Sequence, residues 1–298
     1  MAAFGKAVAS EYVVGSARSM HAAEDLLRRA TAPDGADLAM PRAMVVMAHA
    51  DDETIALGAR IGRFHEAHFI HVTDGAPRNE EDSRTHGFSF LADYRQAREF
   101  ELTEMFARAG LDRVSRNCLN HPDQEASLNL VEITRELIRH IKHHEPEVIF
   151  THPYEGGHPD HDACAFAVHH AVGLHRAEGG RRPLILEASF YNAGPREGGS
   201  SMFLDVAMTM PSVTYDLSPA DRKRKHALLA CFATQRATLK EFSNDREQYR
   251  IAPMYDFTRP PHQGRVHYDH YPWGMTSERF CELATRAEIR FNEGNGAV

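Results

Sequence analysis

Short, continuously apolar segments constrain the fold of this chain more than any other feature of its sequence. Residues 43–48 read AMVVMA, a continuous apolar run, and residues 69–73, 148–151 and 184–191 also have the pattern of strands. Strands of a parallel sheet have such runs because helices cover both faces of the sheet. Between the runs, apolar residues recur at helical spacing, as in residues 128–144. The sequence therefore predicts an α/β protein with a mostly parallel sheet between helices.

The same patterns predict the remaining elements and the domain organisation. Helices are expected over residues 20–30, 53–67, 89–109, 161–175, 218–242 and 277–291, and strands over residues 114–119 and 203–209. Loops are expected over residues 76–88 and 243–275, which are polar or rich in Pro, Gly and aromatic residues. No linker divides the chain, so residues 1–298 are expected to form one domain. Residues 1–40 would be a helical extension, and residues 186–298 an elaborated C-terminal part for substrate or oligomer contacts.

The charge and the cysteines exclude several classes of protein. With 34 basic and 42 acidic residues the net charge is −8, whereas binding to nucleic acid or anionic membranes needs a basic surface. No apolar run has the length of a signal peptide or a membrane span. The four cysteines form no C-x-x-C pair, which is typical of free thiols in a reducing compartment. We therefore expect a cytoplasmic protein without a nucleic-acid partner.

Two polar segments rich in His and Asp follow predicted strands. Residues 48–53 read AHADDE after the first strand, and residues 157–162 read GHPDHD after the strand at residues 148–151. In open α/β sheets the carboxyl ends of the strands form the ligand-binding edge, so these two segments are expected to meet there. A single His-Asp pair is most often a helix cap or a turn, but two at one edge favour a metal site. Residues 121–123 also read HPD; without a second histidine they are interpreted as a turn, and lining of the pocket is the lesser alternative.

The donor types in these two segments suit a catalytic zinc ion, which takes three protein ligands and a water. The candidate ligands are His49, Asp52 and His161; iron or cobalt would accept the same set. Since neighbouring side chains diverge, one carboxylate of the Asp51-Asp52 pair can bind the metal while the other faces the water as general base. A second histidine could then stabilise an oxyanion or protonate a leaving amine.

These two segments resemble the A-H-P-D-D-E and H-P-D-H signatures of the PIG-L/LmbE-like zinc-dependent N-deacetylases. The resemblance implies a Rossmann-like, three-layer α/β/α fold. It also implies that His49, Asp52 and His161 bind Zn²⁺ and that Asp51 is the general base. His158 would then be the oxyanion stabiliser and general acid, and Asp160 would orient a histidine.

The resemblance extends to a helix and includes two departures. Residues 98–102 (REFEL) resemble the R-x-x-E-L helix of the family, which makes Arg98 a candidate substrate contact; the alternative is an exposed arginine paired with Glu101. Ala50 replaces the usual proline of the first signature. Gly156 stands where some relatives carry a mobile tyrosine, for which Tyr154 or Tyr191 could substitute.

The sequence thus predicts an amidase that removes an N-acetyl group from an amino sugar or a related small molecule. One alternative is an amidase for a larger amide conjugate, and another is a metal-binding or sugar-binding protein without turnover. A dinucleotide-binding protein is excluded because no G-x-G-x-x-G follows the first strand. The aromatic residues in 259–273, including the only tryptophan, favour a pocket wall or an oligomer contact, and homo-oligomerisation stays open.

Overall fold

The strands of the described residues form one seven-stranded sheet in the order β3-β2-β1-β4-β5-β7-β6. This computed structural model describes residues 17–193, 203–204, 210–240, 242 and 244–294. The strands are β1 (Ala43–Met47), β2 (His68–Thr73), β3 (Ser115–His121), β4 (Val148–Thr151), β5 (Leu184–Ala188), β6 (Ser212–Asp216) and β7 (Arg246–Ile251). The first five strands are parallel, and β7 is antiparallel to both of its neighbours, β5 and β6. The predicted mostly parallel sheet is therefore confirmed.

Helices cover both faces of this sheet. They are α1 (Ala17–Ala30), α2 (Asp52–Leu57), α3 (Glu81–Thr85), α4 (Leu91–Arg108), α5 (Leu130–His144), α6 (Pro159–Ala177), α7 (Pro219–Leu229), α8 (Arg236–Leu239) and α9 (Ser277–Gly294). Short 3₁₀ turns add Ile61–Arg63, Ala126–Asn129, Ala233–Gln235 and His267–His270. None of the described helices has the length and apolar character that crossing a membrane requires.

The core has two halves, one on each side of the sheet. Strand β1 alternates between them: Met44 and Val46 pack with α5, α6 and α9, whereas Val45 and Met47 pack with α1, α2 and α4. Since each face of β1 is covered by helices, every residue of the strand is buried. This explains the continuous apolar run and confirms the three-layer α/β/α arrangement.

The structure corrects two predicted helices. The helix expected over residues 53–67 ends at Leu57 because the next turn brings Ala59 N–H and the Arg60 guanidinium to the buried carboxylate of Glu247. The helix expected over residues 218–242 ends at Leu229 and resumes only as α8. There Thr234 donates from its backbone N–H and its hydroxyl to Glu101, at 2.8 and 2.6 Å. In both cases a distant carboxylate outweighs local helix propensity.

The structure also corrects the two predicted loops. Residues 243–275 contain β7, a strand that lies between β5 and β6. Its charged sequence, REQYRI, does not have the hydrophobic pattern of a strand. Residues 76–88 contain the short helix α3. Of the edge strand predicted over residues 203–209, residues 205–209 lie outside the described part; β6 begins at Ser212. The predicted N-terminal helix is present as α1, and residues 1–16 are not described.

Candidate active site

The two His/Asp segments meet at the carboxyl edge of the sheet. Strands β1 and β4 are hydrogen-bonded neighbours, and the chain leaves them towards α2 and α6 respectively. Together they line a cavity of about 220 Å³ that contains His49, Asp51, Asp52, His158 and His161. The structure thus brings together the three predicted metal ligands and the two predicted catalytic residues.

The backbone at Asp51 separates its side chain from that of Asp52. Asp51 has a φ of 126°, in the region that non-glycine residues rarely adopt, at a cost of about 1–3 kcal/mol. Its N–H donates to Glu53 Oε2 at 3.1 Å, and Arg98 Nη2 donates to the Ala50 carbonyl at 2.6 Å. These two hydrogen bonds stabilise the unusual turn. The family signature has a proline at position 50, and here the hydrogen bonds take over its role of restricting the backbone.

Asp52 lies between the two predicted histidine ligands, with one carboxylate oxygen near each ring; the described donor groups at this site that could hold a metal are His49/His158/His161, Asp52/His152/His161 and His49/Asp123/His158/Asp160. His49 Nδ1 lies 3.3 Å from Asp52 Oδ2, and His161 Nε2 lies 3.4 Å from Asp52 Oδ1. Two ligands of a tetrahedral zinc ion are separated by about 3.3 Å, given metal–ligand bonds of about 2.0–2.1 Å. The 2.8 Å hydrogen bond from the His49 N–H to Asp52 Oδ2 fixes the carboxylate relative to the first histidine.

The charge balance of the site also fits a cation. Asp51, Asp52, Asp123 and Asp160 are all buried beside this cavity, and among its described lining residues Arg98 is the permanent cation. Burial acts to raise the pKa of Asp52, but its electrostatic interactions and hydrogen bonds with His161 and His152 outweigh burial and lower the pKa well below its usual value. A divalent ion would offset the remaining negative charge, because buried carboxylates are costly without a partner.

His158 is held as a neutral ring with one nitrogen available. It caps helix α6, and its Nδ1 accepts the Asp160 N–H at 3.2 Å. The tautomer compatible with this bond carries its proton on Nε2. Burial, followed by the neighbouring His49 and His161, lowers the pKa of His158 well below its usual value. The ring can therefore act as a neutral hydrogen-bond donor.

Asp160 connects His49 to the loop after β3. Its Oδ2 lies 3.3 Å from His49 Nε2 and accepts the Gln124 N–H at 2.6 Å, while its Oδ1 accepts the Ala126 N–H at 3.0 Å. A carboxylate on the second nitrogen of a histidine orients the ring and sets its tautomer. The contact leaves His49 Nδ1 facing Asp52.

Asp123 and His152 were not among the predicted site residues. The turn predicted at residues 121–123 exists, with Glu125 N–H bonded to the Pro122 carbonyl, but Asp123 also enters the cavity, with its Oδ1 3.2 Å from His49 Nε2. His152 follows β4 directly and stacks on His161 at 3.9 Å. Its strand-end position was a usable sequence signal, whereas the approach of Asp123 depends on the tertiary fold.

His152 belongs to an alternative set of three donors with Asp52 and His161. Its Nε2 lies 3.4 Å from Asp52 Oδ2, but the same atom accepts the Ala48 N–H at 3.0 Å. Burial, together with His161, lowers the pKa of His152 to about 3, so the ring is neutral. Because the lone pair of Nε2 accepts the Ala48 N–H, it is not available to a metal ion. His152 instead packs against the ring of His161.

Arg98 lies beneath Asp51 and is not an exposed helix residue. It is 3% exposed, and its Nη2 lies 3.4 Å from Asp51 Oδ2. Glu101, the alternative partner, instead binds Thr234. Burial acts to raise the pKa of Asp51, the positive charge of Arg98 opposes it, and the net pKa of Asp51 is well above the usual value. Arg98 also lines the cavity, so the predicted contact with substrate stays a prediction.

The C-terminal half of the chain completes the cavity wall. Tyr191, Phe242 and Trp273 line it, and the Trp273 ring centroid lies 4.8 Å from that of His158. Of the two tyrosines considered as replacements for the family tyrosine, Tyr191 lines the cavity. Tyr154 instead donates to the Arg259 carbonyl at 2.8 Å. Gly156 has a φ of 70°, and a Cβ there would lie 2.5 Å from Val266 Cβ, so the packed loop excludes a larger side chain.

Several solved structures, two deacetylases among them, share this fold at low sequence identity. The A40926 pseudoaglycone deacetylase Dbv21 aligns with a TM-score of 0.55 and 17% identity, over 72% of this chain and 98% of its own. A deacetylase of the teicoplanin biosynthesis pathway aligns with a TM-score of 0.53 and 15% identity, over 70% and 96%. The conserved protein TT1542 from Thermus thermophilus aligns with a TM-score of 0.50 and 19% identity, over 76% and 100%.

The family assignment comes from the segment that contains both signatures. A comparison with curated protein sequences gives no significant match. Residues 44–172, however, match the family model described as "PIG-L: GlcNAc-PI de-N-acetylase". This segment runs from β1 into α6 and contains all seven predicted site residues. Over residues 44–172 the chain is thus similar to the PIG-L (LmbE-like) family of de-N-acetylases.

Proposed function

We propose that this protein is a zinc-dependent hydrolase that removes an N-acetyl group from an amino sugar or an amino-sugar-containing small molecule. The convergence of His49, Asp52 and His161 in one cavity, with Asp51 and His158 beside them, carries the proposal. Dbv21 and the teicoplanin-pathway protein are deacetylases by name, and the family model is named for GlcNAc-PI. These names support the N-acetyl bond as the one that is cleaved.

His49 Nδ1, an oxygen of Asp52 and His161 Nε2 would hold the zinc ion. Bound there, zinc supplies a Lewis acid and brings the pKa of a coordinated water to about 7. Asp160 orients His49 through Nε2, and the backbone N–H of His49 holds the carboxylate of Asp52. Binding of the metal therefore needs little rearrangement of the residues that surround it.

In this proposal Asp51 transfers the proton and His158 stabilises the carbonyl oxygen. The carboxylate of Asp51 accepts a proton from the attacking water as its oxygen bonds to the acetyl carbon. The Nε2–H of His158 donates a hydrogen bond to the carbonyl oxygen, since its Nδ1 is occupied by the Asp160 N–H. The C–N bond then breaks as the proton taken up by Asp51 passes to the amine nitrogen, and acetate and the amine leave.

The size of the cavity favours a short acyl group over a larger amide conjugate. At about 220 Å³ it is smaller than the roughly 300–1,000 Å³ of pockets that enclose drug-sized ligands. The aromatic rings of Tyr191, Phe242 and Trp273 on the wall are suited to the apolar face of a sugar ring. The small cavity and this aromatic wall together favour an N-acetylated amino sugar.

The proposal is tested by amine release from a panel of N-acetylated and longer N-acylated sugars. Metal-depleted protein and the same protein reconstituted with zinc are compared. We expect zinc-dependent release from at least one N-acetyl substrate and slower release as the acyl chain grows. Release only from long-chain amides would favour the conjugate amidase. Tight zinc binding without release from any substrate would favour a binding protein.

A first prediction separates chemistry from metal binding at Asp51. The Asp51→Asn variant should lose about 10²–10⁴-fold in kcat because the general base is gone, while zinc content stays at the wild-type level. Asp82→Asn is the matched control, since Asp82 lines the same cavity and has no proposed role in the reaction; it should keep most of its activity. Retention of most of the rate by Asp51→Asn would show that the general base is elsewhere.

A further inference from the structure

Three histidines form a second cluster outside the active site. His68 begins strand β2, and His140 and His144 lie one turn apart near the end of helix α5. One nitrogen from each ring lies within 4.8 Å of the other two. His68 is buried and the other two are half-buried, so the cluster is packed against the sheet but open to small ions.

The geometry of this cluster resembles that of an imidazole metal site. His68 Nε2 lies 3.0 Å from His140 Nδ1, close to the separation of about 3.3 Å between two ligands of a tetrahedral ion. The spacing of His140 and His144 places both rings on one helix face, as in the paired histidines of helical zinc sites. The ring of His144 now stacks on His68, with centroids 3.7 Å apart, and would turn by rotation of its side chain to complete the set.

A fourth residue orients the buried ring. Ser115 Oγ lies 2.8 Å from His68 Nδ1, so that nitrogen is engaged and Nε2 is directed towards His140. Metal-binding histidines commonly use their second nitrogen in this way, which sets the tautomer and the ring plane. The strand partner of His68 in the parallel ladder is Ser115, so the sheet itself positions the hydroxyl.

The cluster lies at the edge of the sheet opposite to the active site. His68 is the first residue of β2 and Thr73 is the last, and the carboxyl end of β2 points towards the cavity of His49. Five residues of strand span about 17 Å, which is too far for the two clusters to share an ion. A metal here would connect the last turn of α5 to the first residue of β2.

We propose that His68, His140 and His144 bind a second divalent transition-metal ion, separate from the catalytic centre, that joins α5 to the sheet. An all-imidazole set suits Zn²⁺, Ni²⁺ and Cu²⁺ rather than Mg²⁺ or Ca²⁺. Three protein ligands leave at least one position of the ion for water. The role assigned to this metal is structural, because the cluster lines no part of the cavity that contains the candidate catalytic residues.

The test is the zinc stoichiometry of metal-depleted protein, measured by calorimetric titration at pH 7.5. The double variant His140→Ala/His144→Ala should bind one equivalent fewer than the wild type. The control is His143→Ala, because His143 is exposed on the same helix turn and lies outside the three-histidine set; it should bind as many equivalents as the wild type. The single variant His144→Ala, which keeps the His68–His140 contact, should weaken only the second binding event, by about tenfold or more.

Two further readouts make the outcome decisive. Addition of Zn²⁺ should raise the Tm of the wild type more than that of the double variant, while zinc-dependent amine release should be the same in both. Equal stoichiometry in the wild type and the double variant would overturn the proposal. So would a titration of His144→Ala that superimposes on that of the wild type.

Discussion

At the scale of single residues, the candidate site depends on how Asp51 is held. Its strained backbone turns its carboxylate away from that of Asp52, so adjacent residues can take different tasks. Arg98 stabilises this turn at two points, the Ala50 carbonyl and the Asp51 carboxylate. A guanidinium that is 3% exposed and bonded to the backbone of the signature is better placed to position Asp51 than to bind substrate.

A kinetic prediction distinguishes these two roles of Arg98. In Arg98→Met the length of the side chain is similar but both contacts are lost, so kcat should fall roughly 10–100-fold from misplacement of Asp51, the proposed general base, with KM nearly unchanged. Arg95→Met is the control, because Arg95 lies on the same helix and pairs with Asp74 instead. A raised KM with kcat preserved would indicate that Arg98 binds substrate.

The residues of the candidate site differ in how visible they are in the sequence. His49, Asp52, His158 and His161 follow buried strands, and the rule that ligands bind at strand ends is enough to predict that they lie together. Asp123 could not be placed in this way. Its neighbours form an ordinary turn, and its contact with His49 arises only because Asp160 binds the backbone of the same loop.

At the scale of secondary-structure elements, strand β7 connects the C-terminal part of the chain to the turn that follows α2. Glu247 of β7 is 3% exposed and accepts hydrogen bonds from Arg60 Nη1, Lys225 Nζ, the Ala59 N–H and the Tyr249 hydroxyl. Two buried cations thus share one carboxylate. Since α2 begins at Asp52, this cluster supports the helix that carries a proposed metal ligand.

Removal of the charge at Glu247 should therefore be costly. Glu247→Gln leaves Arg60 and Lys225 without their carboxylate, and breaking a buried ion pair from one side costs about 3–5 kcal/mol. Asp216→Asn is the control, because the Asp216–Arg246 pair on the neighbouring strand is exposed and should contribute no more than about 1 kcal/mol. Urea denaturation monitored by circular dichroism measures both, and equal losses would contradict a special role for Glu247.

The elements that the sequence did not reveal have a common physical cause. Strands β1, β2, β4 and β5 are fully buried because both faces meet helices, and the apolar residues in them, most continuous in β1, locate them. Strand β7 has the same degree of burial around Glu247, Tyr249 and Arg250, but its polar groups are satisfied by partners far away in the chain. A pattern that reads only local hydrophobicity cannot detect such a strand, nor the break at Thr234 that Glu101 stabilises.

At the scale of the whole molecule, two parts of the chain share one cavity. The proposed metal ligands and catalytic residues lie within residues 44–172, the segment that matches the family model. Tyr191, Phe242 and Trp273 lie after it and provide an aromatic wall. Because the chemistry belongs to the family segment, the choice of substrate is expected to depend on the later residues.

Substitution of Trp273 tests whether residues after 172 determine the choice of substrate. Its ring lies between that of His158, at 4.8 Å, and that of Tyr271, which stacks on it at 4.5 Å. Stacking against an aromatic ring contributes about 0.5–1.5 kcal/mol beyond the burial of area. Trp273→Ala should therefore raise KM for an N-acetyl sugar roughly 5–20-fold, with a smaller change in kcat, and Trp273→Phe should recover part of the loss.

The control for this experiment is His270→Ala, because His270 is exposed on the same loop and does not line the cavity. If Trp273 contacts the sugar, His270→Ala keeps the wild-type KM, and the loss in Trp273→Ala is larger for a substrate with a full sugar ring than for a small N-acetylated amine. A loss of equal size for both substrates would place Trp273 at the reacting bond, acting through His158. An unchanged KM for every substrate would indicate that the sugar contacts Tyr191 and Phe242 instead, and the substrate-binding role proposed for Trp273 would be wrong.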